Sequence, residues 1–330
     1  MTTVNARVSV REPAAETSTA QFAEDVRYYL SLTPRQLPSR YLYDGLGSAL
    51  FDAICQLPWY GLTRAETRLL TTHACEVFSA LSPLSRIIEL GSGSGEKLVT
   101  LIASAERHPL PVDVHLIDIS KLALDTASRA LSAFEGVRVV AHHAPYEVGL
   151  EDMNREDFSG GRSLVLFLGS NIGNFDPPGA DEIVRLIRAS RAPGDGFLIG
   201  ADLVKPEREL LLAYDDPLGV TAAFNRNLLA RINHELGGDF DLDGFVHRAV
   251  WNGDASRMEM HLVSTRRQRI RVPDAQVELV MEEGDTIWTE SSYKYHPHQL
   301  VAMLERNGFV LRRQWIEPTA KFALTLVEAH

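Results

Sequence analysis

The chain has 330 residues, a hydrophobic content of 45% and a formal net charge of −11. This composition supports a sizeable core, and the length fits one large domain or two smaller ones. The negative charge argues against nonspecific binding to nucleic acid phosphates, and no apolar stretch is long enough to span a membrane. We therefore expect a globular protein with neither nucleic acid nor membrane among its partners.

The N-terminal residues and the two cysteines bear on the location of the protein. Residues 1–20 are polar, rich in Ser, Thr and Ala, and lack the apolar segment of a signal peptide, which predicts a partly disordered lead. Cys55 and Cys75 match no metal-ligand spacing. They are typical of a reduced, cytoplasmic protein rather than of a disulfide-linked one.

Strand and helix patterns alternate between residues 86 and 202. The predicted helices lie near 96–105, 120–134 and 179–192. The predicted strands are 86–90, 112–118, 137–142, 164–168 and 196–202. This alternation predicts an α/β fold with a parallel sheet and right-handed crossovers, in which a ligand binds beyond the carboxyl ends of the strands.

A glycine-rich turn follows the first of these strands. The turn contains Gly91, Gly93 and Gly95, and Glu89 stands two residues before it. Bare glycine amides allow a tight turn and the close approach of a ligand. Glu96 occupies the place of the third glycine of a dinucleotide-binding turn, which argues against a nicotinamide dehydrogenase. The acid followed by three alternate glycines is instead typical of class I S-adenosylmethionine (SAM) methyltransferases.

An acid follows the second predicted strand, at the same edge of the sheet. Asp118 ends an apolar run and stands 27 residues after Gly91. In nucleotide-binding folds an acid at about this distance accepts hydrogen bonds from ribose hydroxyls. The alternative is a helix N-cap, for which Ser120 is the better candidate. We therefore predict that Asp118 contacts ribose.

The alternation stops after residue 204. A helix is predicted over 221–236, ended by two glycines, and strands over 249–251, 258–264 and 268–272. A helix over 297–307 and a strand pair over 309–315 and 321–327 then complete a seven-stranded sheet. We predict a SAM-binding core formed by 65–204 and 295–330, and a discontinuous α+β substrate domain formed by 21–64 and 205–294.

Six further segments occur in a characteristic order: 37–52, 57–66, 167–174, 214–216, 224–227 and 289–294. Together with the glycine turn, they resemble the histidine-specific SAM-dependent methyltransferases over roughly residues 20–330. Within that family the resemblance is strongest to the members that act in ergothioneine biosynthesis. It implies a class I, Rossmann-like core, SAM as cofactor and L-histidine as the small-molecule substrate. The implied reaction is trimethylation of the α-nitrogen to give hercynine, the first step of that pathway, by a protein that we expect to be monomeric.

The resemblance also implies roles for single residues. The α-carboxylate of histidine would contact Asn174 and Tyr214, and the α-amine would lie near Gly169 and Tyr43. Tyr43 is the candidate proton acceptor or relay, although its ordinary pKa of about 10 makes proton release through water equally plausible. The residues implied at the imidazole are Tyr60, Met260, Glu290, Ser291 and Ser292.

The pair Glu290 and Ser292 also suits imidazole on chemical grounds. The segment reads as a strand, and residues two apart in a strand share one face. A carboxylate accepts a hydrogen bond from the ring N–H, and a hydroxyl can donate or accept. Considered alone, such a pair more often faces solvent on an edge strand. The surrounding family pattern favours the binding role.

The cofactor residues implied by the resemblance include one departure from the family. Gly91, Lys97 and Asp118 would contact SAM. After the third strand the family usually has Gly-Asp and an aromatic residue, whereas this chain has Ala144-Pro145-Tyr146. Proline supplies neither a side-chain acceptor nor an amide hydrogen. Adenine would therefore meet Pro145 and stack on Tyr146, with His143 as a neighbouring group that can compensate.

Three other interpretations have some support in the sequence. The substrate can be another amino acid, such as a tryptophan derivative, or the chain can bind SAM without catalysis, which Pro145 favours. A metal site is a weaker hypothesis. The pairs His142/His143 and His296/His298 have no cysteine or carboxylate at ligand spacing, so we predict no metal.

Overall fold

A computed structural model describes residues 9–11, 19–105, 112–154 and 160–330. In chain order the helices are α1 (Thr19–Leu30), α2 (Gly45–Gln56), α3 (Leu62–Ala80), α4 (Glu96–Ala103), α5 (Lys121–Leu131), α6 (Tyr146–Asn154), α7 (Pro177–Ala189), α8 (Glu207–Tyr214), α9 (Val220–Leu236) and α10 (Pro297–Arg306). The strands are β1 (Ser9–Arg11), β2 (Arg35–Gln36), β3 (Leu84–Leu90), β4 (Val112–Asp118), β5 (Val137–His143), β6 (Arg162–Phe167), β7 (Gly196–Asp202), β8 (Phe245–Asn252), β9 (Arg257–Ser264), β10 (Gln268–Val272), β11 (Val277–Met281), β12 (Thr286–Tyr293), β13 (Phe309–Glu317) and β14 (Phe322–Ala329).

The described residues form two compact units. Unit 1 contains β1, Leu62–Val204 and Tyr295–His330. Unit 2 contains the residues from α1 to Gly61 and Lys205–Lys294. The first boundary predicted from the sequence, after residue 64, falls inside α3. The whole of this helix belongs to unit 1, because a continuous helix packs as a single element.

Unit 1 is built on an eight-stranded sheet in the order β1-β5-β4-β3-β6-β7-β14-β13. The strands from β1 to β7 in this order are parallel, and β14 and β13 are antiparallel to their neighbours. The predicted α/β class, the five parallel strands and the closing strand pair are confirmed. All seven residues of β7 are buried, as expected for a strand covered on both faces.

The additional strand is β1, which extends the predicted seven-stranded sheet at its edge. Ser9–Arg11 pairs in parallel with Val140, Ala141 and His142 of β5. The sequence predicted a partly disordered lead over residues 1–20 and no strand within it; these three residues form one because the edge of β5 offers backbone partners to a segment of any composition. Thr19 and Ala20 are also ordered, in α1. Residues 1–8 and 12–18 lie outside the described part of the chain.

Unit 2 contains a four-stranded sheet in the order β2-β12-β9-β8 and a separate hairpin of β10 and β11. The strand predicted at 249–251 lies in the second half of β8, the one at 258–264 covers all of β9 but its first residue, and β10 agrees with its prediction. Gly237 ends α9 in the left-handed conformation, with φ of +64°, as the double glycine predicted. β11 was not predicted, because its five residues include Leu279, Val280 and Met281 in succession and so show no sustained alternation.

A tight turn at the start of α2 explains the first segment of the family pattern. Asp44 caps α2 by accepting a hydrogen bond from the Gly47 amide at 2.7 Å, and it also accepts one from Asn227 Nδ2 at 2.8 Å. A Cβ atom on Gly47 would lie 1.7 Å from the carbonyl oxygen of Leu42. Gly47 is thus required by the close approach of the backbone.

Gly47→Ala is expected to destabilise the protein by about 3 kcal/mol or more, because the backbone at Leu42 must move. Gly45→Ala is the matched control, since a Cβ there meets nothing within 4 Å; it is expected to leave stability unchanged or raise it by about 0.5 kcal/mol. Urea unfolding followed by circular dichroism measures both. Equal stability of the two variants would contradict the prediction.

Candidate functional site

The glycine turn of unit 1 has the backbone conformation that only glycine adopts easily. Gly91, Gly93 and Gly95 have φ angles of +73°, +50° and +79°. A Cβ atom on Gly91 would lie 2.6 Å from Asn171 Nδ2 and 2.7 Å from the Tyr146 hydroxyl. The turn therefore keeps polar side chains against a bare backbone and leads directly into the N-terminus of α4.

Asp118 braces this turn from the end of β4. Its Oδ2 atom accepts a hydrogen bond from the Gly93 amide at 3.1 Å, and its Oδ1 atom accepts one from the Ser120 amide at 2.8 Å. Burial raises the pKa of Asp118, and these backbone hydrogen bonds oppose the shift. Ser120 caps α5 as predicted, because its hydroxyl accepts from the Ala123 amide. Ribose binding by Asp118 stays a prediction.

Lys97 and Gly169 meet at a carboxylate that sequence reasoning missed. Glu66 is fully buried in α3, and the Gly169 amide donates to both of its oxygens at 2.9 Å. Lys97 Nζ lies 2.8 Å from Glu66 Oε2. The Gly169 amide is thereby committed to Glu66. Glu66 belongs to one of the family segments, but only the fold shows that it faces Lys97.

The turn after β6 carries Gly169 and Asn174. Gly169 and Ser170 both have positive φ, of +77° and +60°, and Ser170 Oγ accepts a hydrogen bond from the Asp202 amide at 3.0 Å. The next residues form a short 3₁₀ helix, Asn171–Asn174. Asn174 is exposed on unit 1, so its predicted contact with a carboxylate stays a prediction.

The departure at residues 144–146 lies at the start of α6. Pro145 is exposed. The ring of Tyr146 packs edge-on against Phe167, with centroids 5.5 Å apart, and burial raises the pKa of its hydroxyl. His143 Nε2 lies 3.0 Å from the carbonyl oxygen of Ile119, so this nitrogen is occupied as a donor. The structure thus leaves Tyr146, rather than His143, beside the glycine turn.

These features fit a nucleoside ligand carrying an amino acid. The glycine turn leads into the N-terminus of α4, where backbone amides favour an anionic group, and Asn171 and Tyr146 bring polar atoms against Gly91. Asp118 stands at the next strand end, and Lys97 carries a positive charge suited to a carboxylate. The residues that would hold SAM are Gly91, Lys97, Asp118 and Tyr146.

The predicted tyrosines of unit 2 lie in one aromatic cluster. The Tyr43 ring packs edge-on against Phe51 and Phe224, each with centroids 5.5 Å apart. The Tyr60 ring packs against Phe51 at 6.4 Å and against Tyr214 at 6.1 Å. We refer to Tyr43, Phe51, Tyr60, Tyr214 and Phe224 as the aromatic cluster. The structure therefore brings together three residues that are distant in sequence.

A β-bulge in β12 determines which of its side chains lie on the same face of the sheet as Met258 and Met260 of β9. Ile287 lies opposite Leu262 and Trp288 opposite His261, but Glu290, not Thr289, lies opposite Met260. Ser292 then lies opposite Met258. Paired residues share one face of the sheet, so Glu290 and Ser292 face the same way as the two buried methionines. A regular strand would have placed Thr289 and Ser291 there, which the sequence pattern cannot reveal.

Glu290 is a buried acid whose carboxylate has no donor. The residue is 8% exposed, and burial raises its pKa to about 8, opposed by the charge of Lys294. Among the residues that the structure describes, none donates a hydrogen bond to its side chain. An unpaired buried carboxylate is costly, which indicates a group that a ligand completes. Ser291 is half-buried on the other face.

Lys294 completes the polar site and was missed by sequence reasoning. It is 3% exposed. Its Nζ atom donates to the Tyr214 hydroxyl at 2.6 Å and to Ser292 Oγ at 2.8 Å, and the two hydroxyls are 2.9 Å apart. Tyr214 and Ser292, to which the resemblance assigns different ends of the substrate, are thus in direct contact. The spacing 290, 292, 294 was the available signal.

Tyr214 is held from behind by a hydrogen-bonded histidine. Asn225 Nδ2 donates to His247 Nδ1 at 2.9 Å, and His247 Nε2 donates to the carbonyl oxygen of Tyr214 at 2.8 Å. This arrangement requires a neutral imidazole. Burial lowers the pKa of His247, which favours that form.

The histidine pairs considered for a metal have other roles. His142 Nε2 lies 3.0 Å from His115 Nδ1 inside the sheet, and the exposed His296 and His298 rings stack 5.7 Å apart. Within the described ranges no three potential metal ligands cluster. Over the same ranges, no helix combines the length and hydropathy required to cross a membrane.

Comparison with known proteins adds independent information. A family model described as "Histidine-specific methyltransferase, SAM-dependent" matches residues 22–329. A histidine N-alpha-methyltransferase of Mycolicibacterium smegmatis is 38% identical over 314 residues, which cover 95% of this chain and 96% of that protein. One of Mycobacterium tuberculosis is 40% identical over 308 residues, covering 92% and 93%. Ergothioneine biosynthesis protein 1 of Neurospora crassa is 28% identical over 270 residues, covering 78% of this chain and 31% of that protein.

The raised pKa of Glu290 predicts a pH-dependent stability. Its folded pKa of about 8 exceeds the ordinary value of 4.5. The stabilising contribution of the protonated form is therefore complete below about 4.5 and is lost as the pH rises through 8. Glu290→Gln removes this pH-dependent contribution to the free energy of unfolding, because glutamine does not titrate. Relative to the variant, the wild type is expected to lose on the order of a few kcal/mol between pH 5 and 9.

Urea unfolding of both proteins across this pH range measures the difference. Glu89, whose pKa is also raised to about 8 by burial, is present in both and cancels. Glu282→Gln, at an exposed carboxylate of the same unit, serves as control. Parallel stability curves for wild type and Glu290→Gln would show the prediction to be wrong.

Proposed function

The chain belongs to the histidine-specific, SAM-dependent methyltransferases and is thus a SAM-dependent N-methyltransferase; on this premise we propose that it methylates the α-nitrogen of L-histidine three times, giving hercynine. We further propose that this is the first step of ergothioneine biosynthesis, which the name of the Neurospora crassa relative supports. The low cysteine content, Cys55 and Cys75 alone, supports a cytoplasmic location, and we propose a monomer.

The observation that carries the proposal is the buried Glu290 carboxylate, to which none of the described residues donates, beside Ser292 on one face of β12. Imidazole offers one N–H and one acceptor nitrogen, which match a carboxylate and a hydroxyl. Met260 lies directly opposite Glu290 and offers an apolar wall. In this proposal Tyr60 closes the ring site and Asn174 binds the α-carboxylate, while the Tyr214 hydroxyl, which is hydrogen-bonded to Ser292 and Lys294, borders the polar site.

Positioning supplies most of the catalysis in this proposal. SAM, when bound, supplies a methyl group activated by a sulfonium. The residues must hold the deprotonated α-amine in line with that methyl group. Tyr43 is the candidate for accepting or relaying the amine proton. The faces of the aromatic cluster attract the cationic product by about 0.5–2 kcal/mol per ring.

Another amino acid as substrate is the second candidate, and the polar site weakens it. A tryptophan side chain is larger and offers one N–H but no acceptor nitrogen, so it cannot satisfy both Glu290 and Ser292. Membership of an enzyme family removes the support for a non-catalytic SAM-binding protein.

Incubation with SAM and a panel of amino acids tests the proposed reaction. Mass spectrometry is expected to show histidine carrying one, two and finally three added methyl groups, with the α-nitrogen as the site. Tryptophan is the matched negative control. Accumulation of monomethylhistidine alone would overturn trimethylation, and preference for tryptophan would overturn the substrate.

Glu290→Ala is expected to lower kcat/KM for histidine roughly hundredfold or more, because the ring N–H loses its acceptor. Binding of SAM, measured by calorimetry, should be unchanged, since Glu290 lies in unit 2 and the glycine turn in unit 1. Glu282→Ala is the control for removing a carboxylate from unit 2. Histidine turnover equal to that of the wild type would contradict the assignment of the imidazole site.

A further inference from the structure

Lys294 is a buried charge to which the proposed reaction gives no task. Only 3% of the residue is exposed, and its backbone is held by a 2.7 Å hydrogen bond from its amide to the carbonyl oxygen of Ser256. Its Nζ atom lies 4.6 Å from the centroid of the Tyr214 ring, within range of a cation–π contact. Burying an ammonium group is costly unless its surroundings compensate, so its position calls for an explanation.

The hydrogen bonds around Ser292 determine whether its hydroxyl can still donate to, or accept from, a ligand. Lys294 can only donate, so its contacts with Ser292 Oγ and the Tyr214 hydroxyl each occupy a lone pair of those oxygens. The two hydroxyls also share a hydrogen bond. The phenol is the more acidic of the two and is the donor in that bond. Both lone pairs of Ser292 Oγ are then occupied, and only its O–H remains free.

We propose that Lys294 is a specificity-determining positioning residue, which fixes Ser292 as a hydrogen-bond donor and so selects the neutral imidazole ring of the substrate. This inference rests on the proposed function, because it takes the pair Glu290 and Ser292 as the imidazole site. Glu290 accepts from the ring N–H, and Ser292 donates to the unprotonated ring nitrogen. A doubly protonated ring would direct a second N–H at the Ser292 proton and toward the Lys294 charge.

Electrostatics support the same assignment. The charge of Lys294 favours the ionised form of Glu290, against the effect of burial. Lys294 thus acts on both members of the pair: its charge opposes the protonation of Glu290, and its hydrogen bond makes Ser292 a donor. Residues 290, 292 and 294 form a recognition unit that has one acceptor and one donor, the complement of neutral imidazole.

Two pyrrolylalanine isomers test this inference, because each keeps one ring N–H and replaces the other nitrogen by carbon. The measured quantity is the ratio of kcat/KM for histidine to that for the better isomer. In the wild type the free Ser292 donor has no partner on pyrrole, so the ratio should be at least about a hundred. In Lys294→Met, Ser292 can rotate its proton to Tyr214, and the ratio should fall about tenfold, with KM for histidine raised roughly tenfold to hundredfold.

The comparison variants separate this role from a structural one. Lys294→Arg keeps the charge and the donors and should retain most of the ratio. Lys205→Met removes a partly exposed lysine of the same unit and should leave the kcat/KM ratio of histidine to pyrrolylalanine unchanged. Equal losses for histidine and pyrrolylalanine in Lys294→Met, with the ratio unchanged, would overturn the inference and leave the proposed function intact. Failure of the wild type to methylate histidine would overturn the proposed function itself.

A measurement on the wild type makes the inference independent of how the variants fold. Histidine labelled with ¹⁵N in the ring, bound at pH 7, should show one protonated and one unprotonated nitrogen, the latter with the shift of a hydrogen-bond acceptor. Two protonated ring nitrogens in the complex would overturn the inference, since Ser292 would then have to accept.

Discussion

A carboxylate removed from water needs hydrogen-bond donors. In this protein, the donors that the buried acids receive connect loops and strands within each unit. Glu66 receives the Gly169 amide and Lys97. Asp118 receives the amides of Gly93 and Ser120. These two acids hold the loops at the strand ends of unit 1. Within the described residues, no donor reaches the Glu290 carboxylate in unit 2 or Glu89 Oε2 in unit 1, and we propose a ligand as the partner of Glu290.

Within the family segments, residues whose polar groups are hydrogen-bonded internally can be distinguished from residues whose polar groups are available to a ligand. Asp44 caps α2 and holds Asn227, and Asn225 orients His247 behind Tyr214. These polar residues serve the fold, because their hydrogen-bonding groups are used internally. The binding surface that we propose for unit 2 is smaller than the set of family residues: it consists of the aromatic cluster, the methionines of β9 and the polar groups of β12.

The bulge in β12 connects backbone geometry to chemistry. By inserting Thr289 without a partner of its own on β9, it moves Glu290 and Ser292 onto the face of Met258 and Met260. The Thr289 hydroxyl donates to the Met260 carbonyl oxygen at 2.9 Å, and Trp288 Nε1 donates to the Glu290 carbonyl oxygen at 2.9 Å. Both bonds stabilise the irregular register. A shift of one residue would have reversed the faces of every side chain that follows.

Local patterns in the sequence were sufficient for most of the architecture. The hydrophobic periodicity and the glycine residues that end elements predicted the parallel strands of unit 1, the closing strand pair, and α9 with its C-terminal glycine. These features depend on neighbours in the chain. The ordered segments indicated the family, which the family model confirms. The glycine turn and the Ser120 cap were also predicted from the sequence, since each satisfies a local requirement of the backbone.

Only the tertiary structure decided which polar groups meet. Glu66 and Lys97 are far apart in sequence, as are Tyr214 and Lys294, and nothing local encodes their contacts. The bulge at Thr289 was equally invisible, because it depends on how β12 pairs with β9. Strand β1 was missed for the same reason: a composition typical of disorder becomes a strand when an open sheet edge supplies its hydrogen bonds. Pattern and propensity therefore determined the elements, whereas long-range pairing determined the chemistry.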